Sequence, residues 1–164
     1  MSAGRLVVVE ISRIEAAHLA ALVRQFAELV SESGPDTDDP AVGRLLPDAY
    51  PADAEAGREF RSATADDLLR RRAADAELVL VSLGDAAVDP AELGADTAGE
   101  ELAVALAGEE VGAWLRTLAA VRLVLASRLG IESEDDDTDD DPRRGIYDWL
   151  GYRLDALVEA ADGP

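Results

Sequence analysis

The chain has 164 residues, enough for one hydrophobic core with room for loops, and its 48% apolar content argues for folding rather than disorder. It holds no cysteine, which excludes disulfides, thiolate metal sites and thiol-based redox sensing. Fifteen cations, every one an arginine, face 35 acids for a net charge of −20, so the surface repels nucleic acid unless its arginines gather on one face.

Aromatic residues make up only 4%, so the core must be built mainly from Leu, Val and Ala. No apolar run approaches the roughly 18 residues of a membrane span, and none follows a basic N-terminus as a signal peptide would. The expectation is a soluble, cytoplasmic protein. The absence of lysine fits a GC-rich coding bias.

Residues 5–11, RLVVVEI, have the β-branching of a strand. From Ser12 the period changes to helical. Ile14, Leu19, Leu22, Phe26, Leu29 and Val30 form one stripe, and Ser12 with Glu15 three residues on makes a capping box. That helix runs to about Glu32, where SGPDTDDP stops it. Asp39 before Pro40 opens a short helix that ends before Pro47.

Pro51 starts another helix, and Thr64 with Asp67 starts a stronger one through Leu83, with Gly84 as its stop. The stripe of this helix is Leu69, Ala73, Ala76, Leu80 and Leu83. Residues 85–99 read as a loop. EELAVALA at 100–107 suits a strand paired with 5–11, although Ala and Leu serve a helix equally well.

The clearest helix is 109–130, with Val111, Trp114, Leu115, Leu118, Leu125 and Leu129 on one face, Arg128 in its last turn and Gly130 beyond. A last helix over about 143–160 aligns Ile146, Trp149, Leu150, Leu154, Leu157 and Val158. The fold class is therefore mainly α (α+β): about five helices around the central 109–130 helix, with a small two-stranded antiparallel β element. Residues 1–164 form a single domain, with an acidic, flexible linker at 132–142.

LASRLGI at 125–131 imitates the first half of a helix-turn-helix. The residues after the turn, ESEDDDTDDDP, offer no side chain that reads bases or meets phosphates, so the motif is a decoy. The same run fails as a calcium loop. With Asp135, Asp137 and Asp139 as ligands, Asp140 falls where Gly is required and Ile146 where the bidentate Glu belongs. A solvated linker asks nothing special of it. Without the seven acids of 134–141 the net charge is still −13, so acidity belongs to the whole chain.

His18, the single histidine, lies beside Leu22 at the edge of the first stripe and reads as a boundary residue, not a ligand or base. No phosphate loop or nucleophile motif appears, so no catalytic, metal or cofactor-binding residue is assigned, and no cofactor is expected. The candidate structural or interaction residues are Trp114, Arg122, Asp148 and Trp149. Arg122 interrupts the apolar stripe of its helix and needs a partner, for which Asp148 is the candidate, or else it snorkels to the domain edge. Both tryptophans suit core anchors or contact hot spots. Arg70–Arg72 and Arg143–Arg144 are small basic spots.

RLLPDAY (44–50), EFRSATADDLLRRR (59–72), WLRTLAAVRLVLASRLGI (114–131) and YDWLGY (147–152) together resemble the actinobacterial AosR family, formerly a domain of unknown function, across nearly the whole chain. The resemblance implies a regulator of oxidative-stress transcription acting with the transcription machinery, and no catalytic residues. Family members tend to carry Asn-Asp where this chain has Ala119-Ala120, so any polar role there is absent. The expected function is thus a non-enzymatic, transcription-associated regulator acting through protein contacts, with a sigma factor or RNA polymerase as partner. Membranes are not expected partners, and homodimerisation stays open. Two alternatives are direct DNA binding through arginines gathered on one face and a structural or proteolysis-linked adaptor.

Overall fold

A computed structural model describes residues 5–34, 37–46, 54–131 and 141–163, with side chains from 64 onward in the third of these stretches. The element order is β1 (Val7–Ser12), α1 (Arg13–Glu32), α2 (Pro40–Gly43), α3 (Ala54–Leu83), α4 (Ala95–Ala98), β2 (Glu101–Leu106), α5 (Gly108–Leu129) and α6 (Pro142–Asp162). Mainly helical architecture with one small sheet is as the sequence predicts. The long helices are α1, α3, α5 and α6, while α2 and α4 are single turns.

The two strands pair antiparallel, from Val7 opposite Leu106 to Ser12 opposite Glu101. Their inner face presents Val7, Ile11, Val104 and Leu106, all buried, to the helices. Ser12 ends β1 and caps α1 at once. Its hydroxyl accepts from the Glu15 N–H while the Glu15 carboxylate accepts from the Ser12 N–H, as the capping box predicts. Asp39 caps α2 through the Ala41 N–H, and Gly130 closes α5 in the left-handed conformation at φ 73°.

Helix α5 packs against α3 and α6 and touches α1 and α2, the central place expected for 109–130. Trp114 is only 2% exposed and its indole N–H donates to Ser82 Oγ at 2.7 Å, which satisfies the polar end of a buried anchor. It belongs to one buried cluster with Leu19, Val23, Val79, Leu106, Leu118 and Leu150.

Several boundaries differ from the sequence reading. The two helices expected from Pro51 and Thr64 are one, continuous from Ala54 to Leu83. Nothing around Thr64 breaks a helix, and although Thr and Asp favour helix starts, an interior tolerates them at modest cost. The predicted loop at 85–99 contains two 3-10 turns, Gly84–Ala86 and Pro90–Glu92, as well as α4. Of the expected linker, residues 132–140 lie outside the described residues. Asp141 and Pro142 belong to α6 instead, as its N-cap and first residue.

The last helix buries less than its pattern suggests: Leu150 and Leu157 are buried, whereas Ile146 and Val158 are exposed. Leu150 is thus the main apolar attachment of α6. Leu150→Ala should cost about 2–5 kcal/mol in urea unfolding followed by circular dichroism, the range for deleting a fully buried leucine.

Candidate functional site

The residue on which α6 converges is Glu15. As the third residue of α1 its carboxylate is held by the Ser12 backbone and hydroxyl, both at 3.1 Å to Oε2. The same carboxylate takes two donors from α6. The Trp149 indole N–H reaches Oε1 at 3.0 Å, and Arg153 Nη2 reaches Oε2 at 2.7 Å. Trp149 and Arg153 are one helical turn apart, so both project from the same side of α6. Arg153 also donates through Nη1 to the Glu10 carbonyl at 2.7 Å, which fastens α6 to β1 as well.

Beside this knot runs an open groove of about 460 Å³ between α1 and α6. Ala21, Leu22, Ile146 and the Trp149 ring form its apolar walls, with His18, Gln25 and Glu15 at the margins. A second recess of about 350 Å³, between α1 and α5, includes Leu29, Val124 and Leu125. Leu22 and Gln25 line both, so the two run on from one another along α1. Leu22, Leu29, Val124, Leu125 and Trp149 satisfy the helical period and pack on the core, yet among the described residues no element buries them fully. Ile146 keeps 36% of its surface exposed.

Of the residues singled out by sequence, Trp149 belongs to this site and Trp114 to the core. Arg122 does not pair with Asp148. Its guanidinium lies over the Tyr147 ring, 3.9 Å from the centroid, and Nε donates to the Tyr147 carbonyl at 3.2 Å. Asp148 accepts from Arg144 at 3.1 Å on its own helix. The reason is helical phase: Tyr147 and Gly151 face α5, and Asp148 is turned away from them. A Cβ on Gly151 would sit 2.9 Å from Arg122 Nη2, so a larger residue there would push the guanidinium aside. Arg122 thus stacks on Tyr147 at the α5–α6 crossing instead of snorkelling or pairing with Asp148.

Sequence reasoning missed Glu15 as a tertiary hub, because its capping role already explained it. It also missed Arg153. The signal present was the spacing of Ile146, Trp149 and Arg153, which puts an apolar, an aromatic and a cationic group along one side of α6. His18 is exposed at the groove margin, consistent with a boundary residue. Among the described residues no group of three His, Asp or Glu side chains is arranged to hold a metal ion.

A family model described as a domain of unknown function, DUF2017, matches residues 1–161. The chain belongs to the DUF2017 family. No curated protein and no solved structure matches it. The match reaches all but the last residue of α6, so the knot and the groove of this DUF2017 member both lie within the family region.

Burial by itself raises the Glu15 pKa. The Ser12 backbone N–H, the Trp149 indole, the Arg153 charge and the Ser12 hydroxyl outweigh it, and the carboxyl ends below its ordinary 4.5. A carboxyl depressed in the folded state contributes stability that is full above the unfolded pKa and is lost as pH falls through the folded one. Thermal melts between pH 6 and 3 (roughly the range in which carboxylates titrate) should therefore show an acid limb that Glu15→Gln shallows. E15Q should also melt lower than the parent protein at neutral pH, because the Arg153 guanidinium then loses its counter-charge.

Proposed function

We propose that this protein is a non-enzymatic, cytoplasmic regulator associated with transcription, working through protein–protein contacts. The observation that carries the reading is an open apolar groove walled by Leu22, Ile146 and Trp149 on a chain of net charge −20. Apolar surface of this kind supplies affinity, and the surrounding acidic field steers a basic partner towards it. The resemblance of four segments to the AosR family supports a sigma factor or RNA polymerase as that partner.

The disposition of the arginines favours this reading over direct DNA binding. Arg13, Arg116, Arg128, Arg143, Arg144 and Arg153 each pair with one of the chain's own acids, at 2.7 to 3.1 Å. Cations already neutralised in this way have little left to exchange for phosphate counterions. No helix among the described residues is long and apolar enough to cross a membrane.

The test is binding of purified sigma factors and core polymerase to the immobilised protein. The expected outcome is salt-sensitive association that Ile146→Glu weakens roughly tenfold or more, since it charges the groove wall without touching the core. Failure of every transcription component to bind at low salt sinks the proposal, as does a tight mobility shift of duplex DNA by the protein alone.

A further inference from the structure

Among the described residues the sheet has two strands, so each has an edge without a strand partner there. Which backbone groups face outward from β1 follows from the ladder. Arg13 N–H donates to the Glu100 carbonyl at 2.9 Å, which makes that pair a hydrogen-bonded one in the observed register. Antiparallel ladders alternate, so Ile11, Val9 and Val7 also bond inward to β2, while Ser12, Glu10 and Val8 turn both their N–H and C=O away from it.

Half of this outward edge is capped by side chains. The Ser12 N–H goes to Glu15, and the Glu10 carbonyl takes Arg153. The Val8 N–H, the Val8 carbonyl and the Glu10 N–H have no partner among the described residues. Charge, proline or a covering element usually blocks an exposed strand edge; here Glu10 supplies a charge and α6 runs alongside, held to Glu10 by Arg153 and to Arg5 by the Ala160 carbonyl, yet the Val8 groups between these two ties stay open. Beside it lies a groove of about 410 Å³ between β1 and α6, walled by Val8, Val9, Tyr152, Ala156 and Ala160. Leu6, Val8 and Tyr152 are 60%, 54% and 68% exposed, high for large apolar or aromatic groups so close together.

We infer that the outer edge of β1 takes an extended segment of a basic partner protein as an added strand, centred on Val8. The three open backbone groups supply the main-chain bonds of strand addition, and the groove takes an alternate side chain of the guest. That side chain is apolar, to match Val8 and the alanines of α6. Its neighbours are cationic: Glu10 and Glu101 line the groove, Arg153 in the lining is already neutralised by Glu15, and Arg5 lies at the opposite end on the Ala160 carbonyl. The net charge of −20 disfavours a second copy of this chain as the guest.

The experiment uses the full chain and a seven-residue peptide of alternating Arg and Val, together with its counterpart N-methylated at alternate amides. On saturation with the plain peptide, exchange of the Val8 and Glu10 amide protons, followed by NMR, should slow at least about tenfold. The methylated peptide should bind at least about tenfold more weakly, since it lacks the donors for a ladder. Val8→Pro should weaken binding similarly. It removes an outward donor and no bond to β2, the position at which sheets tolerate proline. If V8P melts early, Val8→Arg leaves the backbone alone and gives the same reading by placing a cation beside Glu10. Unchanged Val8 exchange, or equal binding of the two peptides, overturns the inference. Self-association that V8P abolishes would seat a second copy on the edge and overturn the assignment of the guest.

Discussion

Everything on the α6 side of this molecule depends on one carboxylate with more donors than a helix cap needs. Glu15 completes a local capping box, and the same two oxygens receive Trp149 and Arg153 from 134 and 138 residues further on. A half-buried ion pair earns little unless its remaining bonds are made, and here nearly all of them are. The Arg153 Nε is the exception, buried without a partner. Because this polar knot fixes the helix, α6 need not bury its whole apolar stripe. Leu150 and Leu157 hold it to the core, and Ile146 and the Trp149 ring remain available to the groove. The open surface is thus a consequence of how the helix is fastened.

What was legible in the sequence was whatever local chemistry decides. Ser12 with Glu15, Asp39 with Pro40, and Gly130 mark helix ends because capping involves residues within one turn of each other. The strand pair was legible because β-branched residues at 7–11 require a partner, and the 101–106 segment alternates to match. The Thr64 pattern misled for the same reason inverted: a cap signature is chemistry that an uninterrupted helix also tolerates.

The partner of Arg122 was not legible, since it turns on the phase of a distant helix. Consecutive helical residues differ by about 100° in direction, so Tyr147 and Asp148 cannot both face α5, and neither composition nor spacing says which does. The groove was hidden by the same limit. Periodicity reports that Leu22, Leu29, Ile146 and Trp149 are apolar and share faces, but not whether another element covers them. Their partial exposure is a property of the assembly, not of any one helix.

The two open surfaces lie on either side of the Glu15 knot and share α6. Trp149 walls one and bonds Glu15, while Arg153, a turn later, bonds Glu15 and caps the β1 edge at Glu10. A strand added along β1 that reaches the Glu10 carbonyl must therefore replace an Arg153 bond. A side chain entering the α1–α6 groove meets the indole whose N–H is tied to the same carboxylate. Free energy exchanged between two such sites is reciprocal, whatever its sign. A single turn of helix, from Trp149 to Arg153, thus ties both surfaces to the one Glu15 carboxylate.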